Sequence, residues 1–240
     1  MKVKGSTLKI IALITMLIDH IGAFLIEPYL LNNGVFPFAF DISIIPKEFK
    51  TLYIIYIITR LIGRIAFPIY CFLIVEGFLH TSNLKKYAFN LLLFAFISEI
   101  PFNLANSNKL LYFDMQNVFF TLFLGLTCIS LLDKYKGFFN TVIILSITSL
   151  PAYFLNVDYH HFGVLAIAVL YLFHKNKKHQ ILFGVLTFAW ELTAPLAFIP
   201  IYFYNGERGK QNKYLYYSLY PLHLLILYLI RILIFQHIIQ

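Results

Sequence analysis

An all-α, multi-pass membrane bundle is the fold class this sequence predicts, and three observations predict it. The chain of 240 residues is 60% hydrophobic and 12% charged, whereas an ordinary soluble domain is about 25% charged. Its apolar residues gather in runs approaching the roughly 20 that carry a helix across a hydrocarbon core. Its basic residues fall in the short loops between those runs, where they set membrane topology. No soluble domain stands apart, so residues 1–240 read as one integral membrane domain.

Leu8–Ile26 is the first span. It is too long for a signal-peptide core and no small-residue cleavage site follows it, so it is expected to be retained. Thr51–Ile62 reads either as the outer part of a long second helix or as a separate interfacial helix, and Gly63–Phe78 crosses. Leu84–Leu104, Val118–Leu132, Phe138–Leu155 and Phe162–Phe173 supply four further spans. Gln180–Tyr204 holds Glu191 and Pro195. Proline opposes a continued helix, so this stretch is one kinked span or two short ones. Tyr214–Phe235 is the last span, giving eight or nine membrane segments.

Charge bias orients the bundle. With Lys2, Lys4 and Lys9 in the cytoplasm, the Lys85–Lys86, Lys134–Lys136 and Lys175–Lys178 loops share that side. Ten lysines then lie inside, against Lys47, Lys50 and Lys109 outside, a positive-inside pattern expected of the cytoplasmic (inner) membrane. The loop Asn205–Lys213 joins the inner set if Gln180–Tyr204 crosses twice, which favours nine crossings and an outer C-terminus. The net charge of +8 therefore reads as loop charge: the expected partner is the lipid bilayer, not nucleic acid. Cys71 and Cys128 lie inside apolar segments and read as packed thiols.

Ionisable residues inside spans are expensive and mark functional sites. Asp19 and His20 sit in the first span, Arg60 and Arg64 in the second, Glu99 and Asn103 in the third. Asn117 opens the fourth, and Asp158 and His161 lie in a short outer loop. The orientation brings all of them to one outer layer. The bland account is a paired charge network that holds the bundle together, since buried charges must be paired. The functional account makes His20 a general base, because its intrinsic pKa lies near working pH. Asp19 points about 100° away on a helix, so Glu99 or Asp158 is the expected orienter of His20. Arg64, with Arg60, would balance a carboxylate or stabilise a developing oxyanion. The catalytic candidates are His20, Asp19, Glu99 and Arg64; Arg60, Asn103, Asn117, Asp158 and His161 are expected to meet substrate.

A second cluster faces the cytoplasm. Glu76 and His80 are four apart, and Tyr204–Lys210 is a Gly-flanked basic loop. Such a loop suits a phosphate, although loop charge that sets topology explains it equally well. Arg208, Lys210 and Lys213, together with His223 at the inner side of the last span, are the expected donor-binding set. No metalloprotease, nucleophile-elbow, phosphate-loop or dinucleotide signature occurs. His160–His161 lacks cysteine partners, so no metal is expected.

Six stretches resemble the TraX family of integral membrane proteins. They are Met16–Gly22, Arg60–Tyr70, Glu76–Thr81, Ser98–Asn103, Tyr204–Gly209 and Tyr220–His223, and they run from the first span to the last. The resemblance implies an acyltransferase that takes acyl, foremost acetyl, from acetyl-CoA. The founding member acetylates the N-terminus of conjugative pilin, so the implied acceptor here is a pilin, or another surface protein or glycan, at the outer face. A small-solute or proton-coupled transporter with Asp19, His20, Glu99 and His223 as relay is the alternative.

Overall fold

In the computed structural model, residues 2–37, 42–210 and 212–238 are described, apart from the side chains of residues 213 and 235–238. The first span is longer than its apolar run. Helix α1 (Gly5–Ile21) continues through a π-helical turn, Gly22–Ile26, into α2 (Glu27–Asn32). The chain then returns along it as α3 (Lys47–Gly63) and α4 (Ala66–His80). Only Arg64 and Ile65 interrupt this second arm. Pro68 explains the interruption, since it has no N–H for the carbonyl of Arg64. Thr51–Ile62 is thus the outer part of a long second helix.

The two arms hold 28 and 34 residues, about 42 and 51 Å at 1.5 Å per residue. Both exceed a hydrocarbon core of about 30 Å. Their far ends therefore need their own core, and Leu30, Val35, Ile45, Tyr53 and Tyr56 supply it.

Helices α5 (Leu84–Ser107), α6 (Val118–Lys134), α7 (Phe138–Phe154) and α8 (His160–Leu172) then alternate in direction. Helix α4 is the axis of the bundle, packed by α1, α6 and α8. Ala66, Phe67, Ile69, Cys71, Phe72, Ile74 and Val75 are all buried, so its apolar character runs all round.

Gln180–Tyr204 folds as two short legs. Helix α9 (Lys177–Thr187) rises, and a 3₁₀ turn, Ala194–Ala197, leads into α10 (Phe198–Tyr202), which descends. The legs return to their start: Lys177 Nζ donates to the Tyr204 carbonyl at 2.6 Å. Helix α11 (Lys213–Ile238) then runs to the opposite end of the bundle. There Arg231 donates to the carbonyls of Ala105 and Leu104, at 2.6 and 2.8 Å, in the last turns of α5. The beginning and end of the described chain therefore lie at opposite ends of the bundle.

The loop before α11 caps α1. Gly5 and Ser6 N–H donate to the carbonyls of Glu207 and Arg208 at 2.8 and 2.9 Å, and Lys4 pairs with Glu207 at 2.9 Å. These bonds satisfy helix-start donors that no intrahelical carbonyl reaches. Gly206 and Gly209, at φ +82° and +71°, make the loop's turns.

Among the described residues, Gly5–Asn32, Lys47–His80, Leu84–Ser107 and Tyr214–Ile234 are long and apolar enough to cross a membrane, and α7 and α8 are shorter apolar helices. The molecule is an all-α, multi-pass membrane bundle.

Ser82 and Leu110 are exposed and lie at opposite ends, while the native Cys71 and Cys128 are buried. With the N-terminus inside, Leu110→Cys should react with an impermeant maleimide in intact cells. Ser82→Cys should react only after permeabilisation. The inverse pattern would reverse the orientation, and reaction of both from one side would contradict the fold.

Candidate functional site

Two glycines let α1 and α3 approach closely enough to form the site. A Cβ on Gly63 would collide with the Asp19 side chain, and one on Gly22 with Thr59. Across this contact Arg60 Nη1 donates to Asp19 Oδ2 at 2.8 Å, with the two side chains 23% and 17% exposed. Breaking such a pair strands a buried charge, at about 3–5 kcal/mol. One turn on, at the α3–α4 break, Arg64 reaches Glu191 in the turn after α9 at 3.4 Å. Tyr159 also lies within the electrostatic reach of Arg64. In the same turn, Thr193 Oγ1 donates to the Leu61 carbonyl at 2.5 Å, which fixes Glu191 against the second arm.

His20 meets a partner from the last helix. His20 Nδ1 lies 2.5 Å from His223 Nε2, with the rings stacked 4.8 Å apart at 16°. His223 Nδ1 faces the Leu219 carbonyl at 2.7 Å. A carbonyl only accepts, so Nδ1 of His223 carries the hydrogen, and the Nε2 of the neutral ring is a lone pair. His20 Nδ1 must then donate to it, which leaves His20 Nε2 unprotonated, with its lone pair unshared within the pair. Phe24 and Tyr220 pack edge-on against His20, at 5.1 and 6.1 Å, and complete its cage. The π-helical turn begins two residues after His20, and such turns recur at functional sites.

This geometry corrects two expectations. The orienter of His20 is His223, not Glu99 or Asp158. His223 stands ten residues into α11, about 15 Å along the helix from Lys213, and so does not belong with the basic loop. Glu99 instead ties α5 to α6. Asn117 Nδ2 donates to Glu99 Oε2 at 2.6 Å and to the Ala95 carbonyl at 2.8 Å, while Asn117 Oδ1 caps α6. Asn117 thereby ties α5 to the start of α6. Asn103 is buried and reaches the Leu110 carbonyl at 3.5 Å. His161 packs on Tyr153 and Phe162. Arg208 and Lys210 are exposed on the loop that caps α1, and the side chain of Lys213 lies outside the described residues. Three carboxylate oxygens, Asp19 Oδ1, Glu99 Oε1 and Glu191 Oε2, are buried without a hydrogen-bond partner. The layer is therefore richer in acceptors than a purely structural network requires.

The α7–α8 loop closes the layer. Thr121 Oγ1 donates to the Asp158 carbonyl, and Asp158 N–H to that of Gln116 at 2.9 Å. Burial, and next the Asp19 carboxylate, push Asp158 up to about 7, against the pull of Arg64 and Arg60. Sequence reasoning passed over Tyr159 and Tyr220, although both lie inside segments it had singled out. Among the described residues, no group of three or more His, Cys, Asp or Glu is placed to hold a metal.

A helical bundle closed around a charged layer, with paired histidines at its centre, defines an integral membrane protein with an intramembrane polar site. The chain belongs to the TraX family: the family model, TraX protein, matches residues 4–231. It is also similar to the probable fimbrial assembly protein FimC, serogroup H1, of Dichelobacter nodosus. The two are 28% identical over 198 residues, covering 70% of this chain and 80% of that protein. No solved structure matches.

Asp158 carries a pH signature. Its folded value lies above the ordinary 3.8, so the folded state binds this proton more tightly than the unfolded state does. Stability should fall as pH rises from about 4 to about 7, and this contribution should be flat above that range. Asp158→Asn should abolish the slope in detergent melts across that range.

Proposed function

We propose that this protein is a membrane-embedded acyltransferase. It takes an acyl group from an acyl-CoA, with acetyl-CoA as the reference donor, to an amine or hydroxyl at the end of the bundle opposite the N-terminus. The observation that carries this reading is the His20–His223 pair, an unprotonated nitrogen fixed in tautomer and aim inside a buried layer. The name of the Dichelobacter relative, a probable fimbrial assembly protein, supports a pilus or fimbrial subunit as acceptor; another surface protein or a glycan is the alternative. The cytoplasmic membrane with the N-terminus inside fits the lysine distribution.

In the reaction, His20 Nε2 takes the proton of the acceptor N–H or O–H as the acceptor attacks the thioester carbon. The new C–N or C–O bond forms, the C–S bond breaks, and the imidazolium returns the proton to the leaving thiolate. His223, held by the Leu219 carbonyl, stabilises the charge that forms on His20. Arg208 and Lys210 meet the donor phosphates at the opposite end. Gly5, bonded to that loop, and His20 are 15 residues apart, about 22 Å on a helix. The long pantetheine arm of the donor therefore has to reach into the bundle.

His20→Gln keeps size and hydrogen-bonding capacity, so it should insert normally and lose acyl transfer by about 10²- to 10⁴-fold. His223→Phe keeps the stack but removes the acceptor, and should lower kcat while leaving the donor KM unchanged. Acyl transfer and thioester hydrolysis by purified protein measure both. Near-wild-type transfer by His20→Gln would overturn the reading.

The combined Arg208→Ala and Lys210→Ala variant should raise the KM for acetyl-CoA several-fold with little change in kcat, because exposed phosphate contacts contribute ground-state binding. An unchanged KM would return the loop to its role as the cap of α1.

A further inference from the structure

The α7–α8 loop is more strained than a connector needs to be. Asn156, Tyr159 and His160 all take positive φ, at +53°, +62° and +46°, a region side chains other than glycine enter only when the surroundings impose it. The surroundings do impose it. Gln116 N–H donates to the Asn156 carbonyl at 3.1 Å, His160 N–H to that of Val157 at 2.7 Å, and Thr121 and Asp158 close the other side. The result of the strain is the placement of Tyr159. Its ring lies flat on Phe67, with centroids 3.5 Å apart at 6°, within the electrostatic reach of Arg64.

A guanidinium has donors only, so toward Arg64 the Tyr159 hydroxyl presents its oxygen, and its own O–H can be directed elsewhere. Beside the ring lies an apolar cavity of about 160 Å³, lined in part by Phe67, Gly163, Leu165, Phe188 and Trp190. A dry cavity of about 150 Å³ holds a benzene-sized guest, which corresponds to a chain of about six carbons. Tyr159 itself lines this slot, and a hydroxyl-bearing ring beside an apolar slot suits a carbonyl with a hydrocarbon tail.

We propose that Tyr159 is a catalytic residue that binds the acyl carbonyl, and that the adjoining cavity takes the acyl chain and admits chains longer than acetyl. The inference rests on the acyltransferase reading. As the acceptor attacks, the carbonyl π pair moves onto oxygen, where the Tyr159 O–H and the Arg64 charge meet it. The pair then returns as the C–S bond breaks, and Tyr159 keeps its proton throughout.

Two variants of the full-length protein test this with acetyl-CoA and hexanoyl-CoA as donors. Tyr159→Phe keeps the stack on Phe67, so its melting temperature should match the wild type. Its kcat should fall about 10²-fold or more with both donors and with KM little changed, as for loss of one oxyanion donor. Leu165→Phe narrows the slot and should lower hexanoyl relative to acetyl transfer by about tenfold. Wild-type kcat in Tyr159→Phe, or an unchanged hexanoyl-to-acetyl ratio in Leu165→Phe, would overturn the proposal while leaving the acyltransferase reading in place. Absence of transfer by the wild type would overturn both.

Discussion

A charge in a low-dielectric layer has to find its partner, and that requirement governs the architecture of this molecule. Arg60 and Arg64 sit one turn apart and their partners come from different places: Asp19 on the first helix, Glu191 in the turn between the two short legs. The two pairs fasten the first arm and the α9–α10 hairpin to the same point on the second arm. Exposed ion pairs contribute little, but these carry the cost of stranding a buried charge if either partner is lost. The glycines at 22 and 63 follow from the same requirement, because a larger residue would hold the helices too far apart for Arg60 to reach.

Helix lengths make the site asymmetric. On one side the first two arms run about 42 and 51 Å; on the other, α8 has 13 residues and α9 has 11, about 20 and 17 Å. The charged layer caps the short side while the long hairpin continues past it. The layer is therefore walled by protein on one flank and low on the other, where Trp190 and Leu192 are exposed. The apolar slot beside Tyr159 lies on that low flank, with the exposed Trp190 in its lining.

The sequence discloses its fold through composition and run length, and α1, α4, α5 and α11 fall close to where the apolar runs place them. The π-helical turn and the continuation through Glu27 and Pro28 were not legible, because nothing local distinguishes a helix that ends from one that bulges and goes on. Gln180–Tyr204 was legible only as a dilemma, since Pro195 marks a break but not the direction in which the chain leaves it. Spacing carried the members of the site better than their pairings. Arg60 and Arg64 four apart announced a shared face, but which carboxylate each would take depends on helix neighbours that one sequence does not display. His223 was misplaced for that reason: counted from the loop it reads as inner, and only the packing of α11 brings it to His20. Tyr159 was hidden by its class, for a tyrosine in an aromatic-rich chain looks like core until its backbone conformation and its arginine are seen.

The contacts between the first helix and the last have a consequence for the order in which the molecule is made. His20 and the opening turn of α1 leave the ribosome about 200 residues before α11, yet the carbonyls that cap that turn belong to residues 207 and 208, and the imidazole that fixes the His20 ring belongs to residue 223. Until the final helix has entered the membrane, α1 has an unfinished start and His20 an undirected ring. On the proposed acyltransferase reading, the His20 nitrogen is thus undirected early in biogenesis, and the arrival of α11 is the step that arms it.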